Sequence, residues 1–145
     1  MKADPKRVVV DTNVWISAAL SPSGTPAQVV RRVLASAIPV LSEPTFAELE
    51  HRLWLPKFDR YLSIEVRHAV LHDLSAAGHW TEIPPDIGSR KHCRDADDDK
   101  FIHAALAANA AWLVTGDRDL LAVPAIAQLQ ILSPSDALNQ PNFPG

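Results

Sequence analysis

The chain has little of what would indicate a secreted or membrane protein. Cys93 is the only cysteine among 145 residues, so no disulfide can form within the chain, and a reducing, cytoplasmic location is expected. No apolar run approaches the roughly 20 residues needed to span a bilayer, so no membrane partner is expected. The pattern of a signal peptide, a charged segment followed by an apolar one, is missing as well.

Internal repeats and low-complexity segments are also absent. Apolar residues make up 47% of the chain, which is enough for a sizeable core and argues against global disorder. A chain of 145 residues fits one compact domain and is too short for two ordinary ones. We expect this domain to cover residues 1–138, followed by a flexible tail at residues 139–145 (NQPNFPG).

A surplus of basic residues, which would point to a nucleic-acid partner, is lacking too. The chain has 14 Lys and Arg against 17 Asp and Glu, for a net charge of −3. If four of the acids surrounded metal ions, 14 basic residues would face the 13 remaining acids, and the rest of the surface would be near neutral. The net charge therefore neither supports nor excludes binding to nucleic acid.

Segments with strand character alternate with segments that have helical apolar spacing. The predicted strands are residues 7–10, 38–41, 80–83, 112–115 and 129–132, and the predicted helices are residues 14–20, 26–36, 44–54, 63–77 and 100–110. Gly78 follows the fourth helix, where a C-terminal glycine is common. The alternation is typical of an α/β domain with a mainly parallel sheet. In such a sheet, ligands bind outside the carboxyl ends of the strands.

Acidic residues stand at or near those ends in four separate segments. Asp11 ends the first predicted strand in VVVDTN, and Asp117 and Asp119 follow a late strand in LVTGDRDLL. A run of aspartates in RDADDDKF precedes the Ala-rich helix, and Glu48 lies within the helix after the second strand. The fold can therefore bring carboxylates from all four segments to one rim of the sheet.

Carboxylates gathered in this way need a positive partner, because neighbouring like charges disfavour one another. Hard cations such as Mg²⁺ or Mn²⁺ prefer oxygen ligands and remove that cost. Each acid also has an ordinary structural interpretation. Asp11 can cap a helix, the aspartate run can favour a helix N-terminus, Asp117 and Asp119 can belong to a turn, and Glu48 can be exposed. The coincidence of a strand followed by an aspartate near both ends of the chain favours a metal site.

Three stretches resemble the motifs of the PIN-domain nucleases, and the resemblance extends over nearly the whole chain. They are VVVDTNVWISAAL, SEPTFAEL and DADDDKFIHAALAANAAWLVTGDRDLL. Two more, LPKFDRYLS and CRDADDDKF, are similar to stretches of the bacterial toxin–antitoxin subgroup.

The resemblance implies a three-layer α/β/α fold with a central, mainly parallel sheet, and hydrolysis of RNA phosphodiester bonds with Mg²⁺ or Mn²⁺. It implies that Asp11, Glu48, Asp99 and Asp117 are both catalytic and metal-binding, with Asp119 as a further ligand. Asn13, expected to orient Asp11, and Thr115 and Asp97 are implied as accessory residues. The subgroup implies a type II toxin with a cognate antitoxin and allows a homodimer. The alternative is a catalytically idle PIN domain that binds RNA or protein.

Several basic and polar residues have two interpretations each. Six basic residues are candidates for contacts with RNA phosphates, or else ordinary solvated surface: Arg52, Lys57, Arg60, Arg90, Lys91 and Arg94. His103 departs from the family pattern, and we expect a satisfied or exposed side chain there and not a role in the site. His68 and His72 are four residues apart on a helix, but HAVLH lacks the glutamate of the zinc motif HExxH, so zinc is not expected. Cys93 is expected to be inert.

Overall fold

The computed structural model describes residues 5–144, which contain a five-stranded, fully parallel sheet. The strands are β1 (Arg7–Val10), β2 (Ile38–Leu41), β3 (His79–Trp80), β4 (Trp112–Val114) and β5 (Gln130–Leu132). Their order is β3-β2-β1-β4-β5, so β1 lies at the centre between β2 and β4. The α/β class and the parallel sheet predicted from the sequence are confirmed.

Helices connect the strands. They are α1 (Thr12–Leu20), α2 (Thr25–Ser36), α3 (Glu43–Leu53), α4 (Ile64–Ala77), α5 (Pro85–Gly88), α6 (Asp99–Ala107), α7 (Arg118–Leu121) and α8 (Pro134–Asn139). Single 3-10 turns lie at Pro56–Phe58 and Ala96–Asp98. The five long helices agree with the predicted ones to within a few residues, whereas the sequence reading missed the short α5, α7 and α8.

Two apolar layers cover the two faces of the sheet, which gives the predicted three-layer arrangement. Val8 and Val10 of β1 belong to the layer that includes Val29 of α2 and Leu74 of α4. Val9 belongs to the other layer, with residues of α6 such as Ile102. The unbroken run of valines in β1 therefore reflects burial on both faces, as is usual for a central parallel strand.

Pro39 lies within β2, although proline cannot donate a hydrogen bond to a neighbouring strand. The N–H of Ile38 is directed toward β1, where it donates to the Lys6 carbonyl oxygen (2.9 Å). The next backbone nitrogen, that of Pro39, is therefore directed toward β3. Pairing with β3 begins only at Val40, so no hydrogen bond there is lost. β3 itself has two residues, half the predicted length.

The last two described residues, Phe143 and Pro144, are buried within the segment that the sequence predicts to be a flexible tail, and Gly145 of that segment lies outside the described residues. Asn139 ends α8, and Phe143 is buried with its ring in edge contact with Trp112 (centroids 5.5 Å apart). The indole N–H of Trp112 donates to the Pro144 carbonyl oxygen (3.1 Å). The ring contact and the hydrogen bond attach the end of the described chain to β4. In the part of the chain that the structure covers, no helix combines the length and apolar character needed to cross a bilayer.

Gly78 ends α4 in an extended conformation (φ −81°, ψ 155°), not in the left-handed conformation for which terminal glycines are usually selected. Glycine is required here for space. A Cβ atom at this position would lie 2.7 Å from the Leu74 carbonyl oxygen and 2.7 Å from Leu41 Cδ1. The missing side chain thus lets the end of α4 approach β2 closely.

We expect Gly78→Ala to lower the free energy of unfolding by about 1–3 kcal/mol, since the added methyl group overpacks this contact. Gly116→Ala is the matched control, because a Cβ atom there would have no neighbour within 4 Å. Its effect should stay within about 0.5 kcal/mol. Urea denaturation of the two variants and the wild type measures both values. Equal midpoints for all three proteins would contradict this account of Gly78.

Candidate metal centre

A pocket lined by carboxylates lies at the carboxyl edge of the sheet. β1 ends at Val10 and β4 at Val114, which are direct neighbours in the sheet, so the residues that follow them lie close together. The N–H of Asp11 continues the pairing by donating to the Val114 carbonyl oxygen (2.9 Å). Seven acids line the pocket: Asp11, Glu48, Asp95, Asp97, Asp98, Asp117 and Asp119.

Asp11 is held by the buried hydroxyl of Thr115. It occupies the position before α1, yet its side chain makes no capping hydrogen bond. Instead, Oδ2 accepts a hydrogen bond from Thr115 Oγ1 (2.7 Å), and Thr115 Oγ1 accepts one from the Asp117 N–H (2.9 Å). Burial raises the pKa of Asp11; the Thr115 hydrogen bond opposes the shift, and the charges of Glu48 and Asp117 add to it. The Asp11 carboxylate is therefore held mainly by Thr115, which also fixes the backbone of Asp117.

Asp98, Asp117 and Asp119 form a close group of three carboxylates. One oxygen from each lies within 4.8 Å of the other two. Asp117 Oδ1 also accepts the Asp119 N–H (2.7 Å), which fixes the turn that carries both side chains. Burial raises the pKa of Asp98 to about 6, and the charge of Asp117 adds to the shift. The ionised form of Asp98 is thus disfavoured without a cation, and three converging carboxylates are a donor set that fits Mg²⁺ or Mn²⁺.

Asp99 does not face the pocket. Its buried Oδ1 accepts hydrogen bonds from the N–H groups of His92 (3.0 Å) and Cys93 (2.7 Å). Burial by itself would raise the pKa of Asp99, but these hydrogen bonds outweigh it and the pKa is lowered. The structure therefore places Asp98 where the sequence predicts Asp99, and Asp99 ties down the segment before α6. In a run of three aspartates at a helix start, spacing alone does not decide which one faces the sheet edge.

Glu48 reaches the pocket from α3, and protein groups surround its carboxylate. Oε1 pairs with Arg52 Nη2 (3.0 Å) and Lys100 Nζ (3.2 Å), while Oε2 accepts the Thr12 hydroxyl (2.5 Å). Lys100 Nζ also pairs with Asp97 Oδ1 (3.3 Å).

Sequence reasoning missed Thr12 and Lys100, because neither belongs to an acidic motif. The side chain of Asn13, expected to orient Asp11, accepts a hydrogen bond at Oδ1 from Arg52 Nη1 (3.0 Å). The backbone N–H of Asn13 opposes the rise in the pKa of Asp11.

The other basic candidates are exposed and lie in two segments. Lys57 and Arg60 follow α3, and Arg90, Lys91 and Arg94 lie between α5 and α6.

Buried or partly buried groups fix both of these segments. Arg67 holds the first, because it pairs with Asp59 (2.9 Å) and stacks on Trp54 (5.1 Å). In the second, His103 Nε2 lies 2.7 Å from the Arg90 carbonyl oxygen, so the His103 side chain has a hydrogen-bond partner, in agreement with the expectation of a satisfied side chain. Burial raises the pKa of the Cys93 thiol to about 12, in keeping with its predicted inertness.

Comparison with known proteins agrees with this architecture. Residues 7–119 match the model of a PIN-domain family. An uncharacterised protein from Methanocaldococcus jannaschii is 34% identical over 118 residues, which is 81% of this chain and 74% of that protein.

Two solved structures share the fold at low identity. VapBC2 from Rickettsia felis, solved with a DNA fragment from its promoter, has a TM-score of 0.56 at 14% identity, covering 86% of this chain and 98% of that one. VapC20 from Mycobacterium tuberculosis, a toxin that cleaves the sarcin–ricin loop, has a TM-score of 0.51 at 13% identity, covering 82% and 98%. The family match over residues 7–119 and the curated relative establish that the chain belongs to the PIN-domain family.

Proposed function

We propose that this protein is a Mg²⁺- or Mn²⁺-dependent endoribonuclease that hydrolyses RNA phosphodiester bonds. The observation that carries the proposal is the convergence of Asp98, Asp117 and Asp119 within 4.8 Å at the carboxyl edge of the sheet. Family membership supports the same conclusion, since the acids stand in the motifs of a nuclease family. We expect the protein to act in the cytoplasm.

The three carboxylates would hold the cation, with Asp11 beside them. A divalent ion bound there would supply a stronger nucleophile from water and would stabilise negative charge on the phosphate. The Thr115 hydroxyl keeps Asp11 and the Asp117 backbone in register, so the donors are positioned before substrate arrives. Arg52, at the pocket wall, supplies positive charge to a phosphate that enters.

The exposed basic residues supply binding along the RNA. Lys57 and Arg60 on one segment and Arg90, Lys91 and Arg94 on another carry charge that attracts the phosphate backbone. Phosphate contacts fix position and register but do not read sequence. Arg67 and His103 anchor the two segments that carry these basic residues, which favours a defined path for the RNA strand.

We further propose that the protein is the toxin of a type II toxin–antitoxin pair and forms homodimers. Two structures that share its fold, VapBC2 and VapC20, are a toxin–antitoxin complex and a toxin. A small gene adjacent to the coding sequence should then encode an antitoxin. Co-expression of the two should give a stable complex and relieve growth arrest, and size-exclusion chromatography with light scattering reports the number of copies.

Substitution of the pocket aspartates should remove cleavage. We expect Asp98→Asn and Asp117→Asn each to lower the rate on total RNA with Mg²⁺ or Mn²⁺ by at least about 100-fold, since removing one group that stabilises transition-state charge costs about this much. Asp99→Asn is the matched control, because it makes the same substitution at the neighbouring aspartate. Its amide oxygen can still accept the two N–H hydrogen bonds, so the loss should stay within several-fold. Near wild-type rates for both pocket variants would overturn the site, and an Asp99→Asn loss as large as that of Asp98→Asn would restore Asp99 as a ligand.

Divalent metal should raise the stability of the fold. Bound ion at a hundredfold excess over its dissociation constant adds about 2.7 kcal/mol to the free energy of unfolding. Thermal melts in EDTA, Mg²⁺ and Mn²⁺ should therefore separate for the wild type. The separation should shrink in Asp98→Asn and persist in Asp136→Asn, a control in the first turn of α8. Identical wild-type melts in all three conditions at millimolar metal would count against a metal centre.

The product ends identify the nucleophile. If water attacks, cleavage leaves a 5′-phosphate and a 3′-hydroxyl, and a 2′-deoxy substitution at the scissile nucleotide slows the reaction without stopping it. Mapping the ends of a cleaved oligonucleotide measures this. A 2′,3′-cyclic phosphate, or a complete block by the deoxy substitution with binding retained, would exclude attack by water and with it the roles given to the acids.

A further inference from the structure

The carboxylates of the centre fall into two groups that differ in how their charge is balanced. Within residues 5–144, the ion pairs of the pocket reach Glu48 and Asp97 and do not extend to the other five acids, which are Asp11, Asp95, Asp98, Asp117 and Asp119. Glu48 and Asp97 carry two negative charges, and Arg52 and Lys100 supply two positive ones. One side of the pocket is therefore neutral as folded, while the other depends on an added cation.

The Glu48 carboxylate has little capacity left for a metal ion. A carboxylate offers about four acceptor sites, and three of them are taken by Arg52, Lys100 and Thr12. A divalent ion at Oε1 would have to displace an ammonium group at 3.2 Å and a guanidinium group at 3.0 Å. The Lys100 and Glu48 side chains are only 18% and 11% exposed, so solvent screens their interaction weakly.

We propose that the centre takes one divalent ion, at Asp98, Asp117 and Asp119, and that Lys100, with Arg52, occupies the place beside Glu48 where a second ion would otherwise bind. The inference rests on the proposed metal-dependent function and adds the number of ions. Lys100 is a positioning residue in this account. It holds Glu48 and Asp97 in place and, with Arg52, balances their negative charge.

Counting bound Mn²⁺ tests the proposal without reference to cleavage. Metal-free protein is titrated with Mn²⁺, and free ion is measured by electron paramagnetic resonance. We expect one tight ion per wild-type chain. Lys100→Met, which keeps the apolar stem and removes the charge, should bind a second ion at least tenfold more tightly than the wild type does. The double variant Arg52→Met/Lys100→Met should strengthen this second site further.

The control is Lys6→Met, which removes the same charge just before β1, at the opposite edge of the sheet, and should leave both affinities unchanged. Thermal melts supply a second readout. If Lys100 serves only as a structural ion pair, its loss lowers the melting temperature equally with and without Mn²⁺. Under the proposal, Mn²⁺ above the first-site concentration restores more stability to Lys100→Met than to the wild type.

The possible results separate this inference from the function on which it rests. Two ions of comparable affinity in the wild type would overturn the single-ion proposal and leave the metal-dependent nuclease standing. A second-ion affinity unchanged in both folded variants would also overturn it. No Mn²⁺ binding to the wild type would instead overturn the metal centre itself.

Discussion

The hydrogen bond from the Thr115 hydroxyl to the Asp11 carboxylate is the contact around which the site is organised. It joins residues 104 positions apart, one just after β1 and the other just after β4. The pairing of these two central strands brings the residues together, and the two apolar layers on either side of the sheet hold the strands. Burial of the valines in β1 therefore positions the side chains of the site, because it sets the strand register in which Asp11 and Thr115 meet.

The surroundings of the pocket show how one fold accommodates many acids. Each buried or half-buried carboxylate has a different compensation. Asp99 accepts two backbone N–H groups, Glu48 pairs with Arg52 and Lys100, and Asp11 accepts a hydroxyl. For Asp98, burial and then the charges of neighbouring acids raise the pKa to about 6. The repulsion between these carboxylates is therefore confined to the pocket, and the rest of the core has ordinary apolar packing.

Much of this arrangement could be predicted from the sequence, because strand and helix periodicity is set by burial on one or both faces. The order of elements, the parallel sheet and the meeting of Asp11 with Asp117 follow from that pattern alone. Which of Asp98 and Asp99 faces the pocket cannot be predicted from this pattern. It depends on the single turn at Ala96–Asp98 and on which carboxylate accepts hydrogen bonds from the N–H groups of residues 92 and 93. Lys100 was missed because its partners come from α3 and from the preceding turn. Phe143 was missed because a short polar segment gives no periodicity to read.

The burial of Cys93 gives the chain a natural reporter. The thiol is 2% exposed, its pKa is raised to about 12, and its backbone N–H is held by Asp99. A thiol in this state reacts slowly with alkylating reagents, since the thiolate is the reactive form. Its modification therefore requires the segment between α5 and α6 to detach. Because the chain has no other cysteine, the rate of thiol labelling measures how often the segment that carries Arg90, Lys91 and Arg94 detaches from the core.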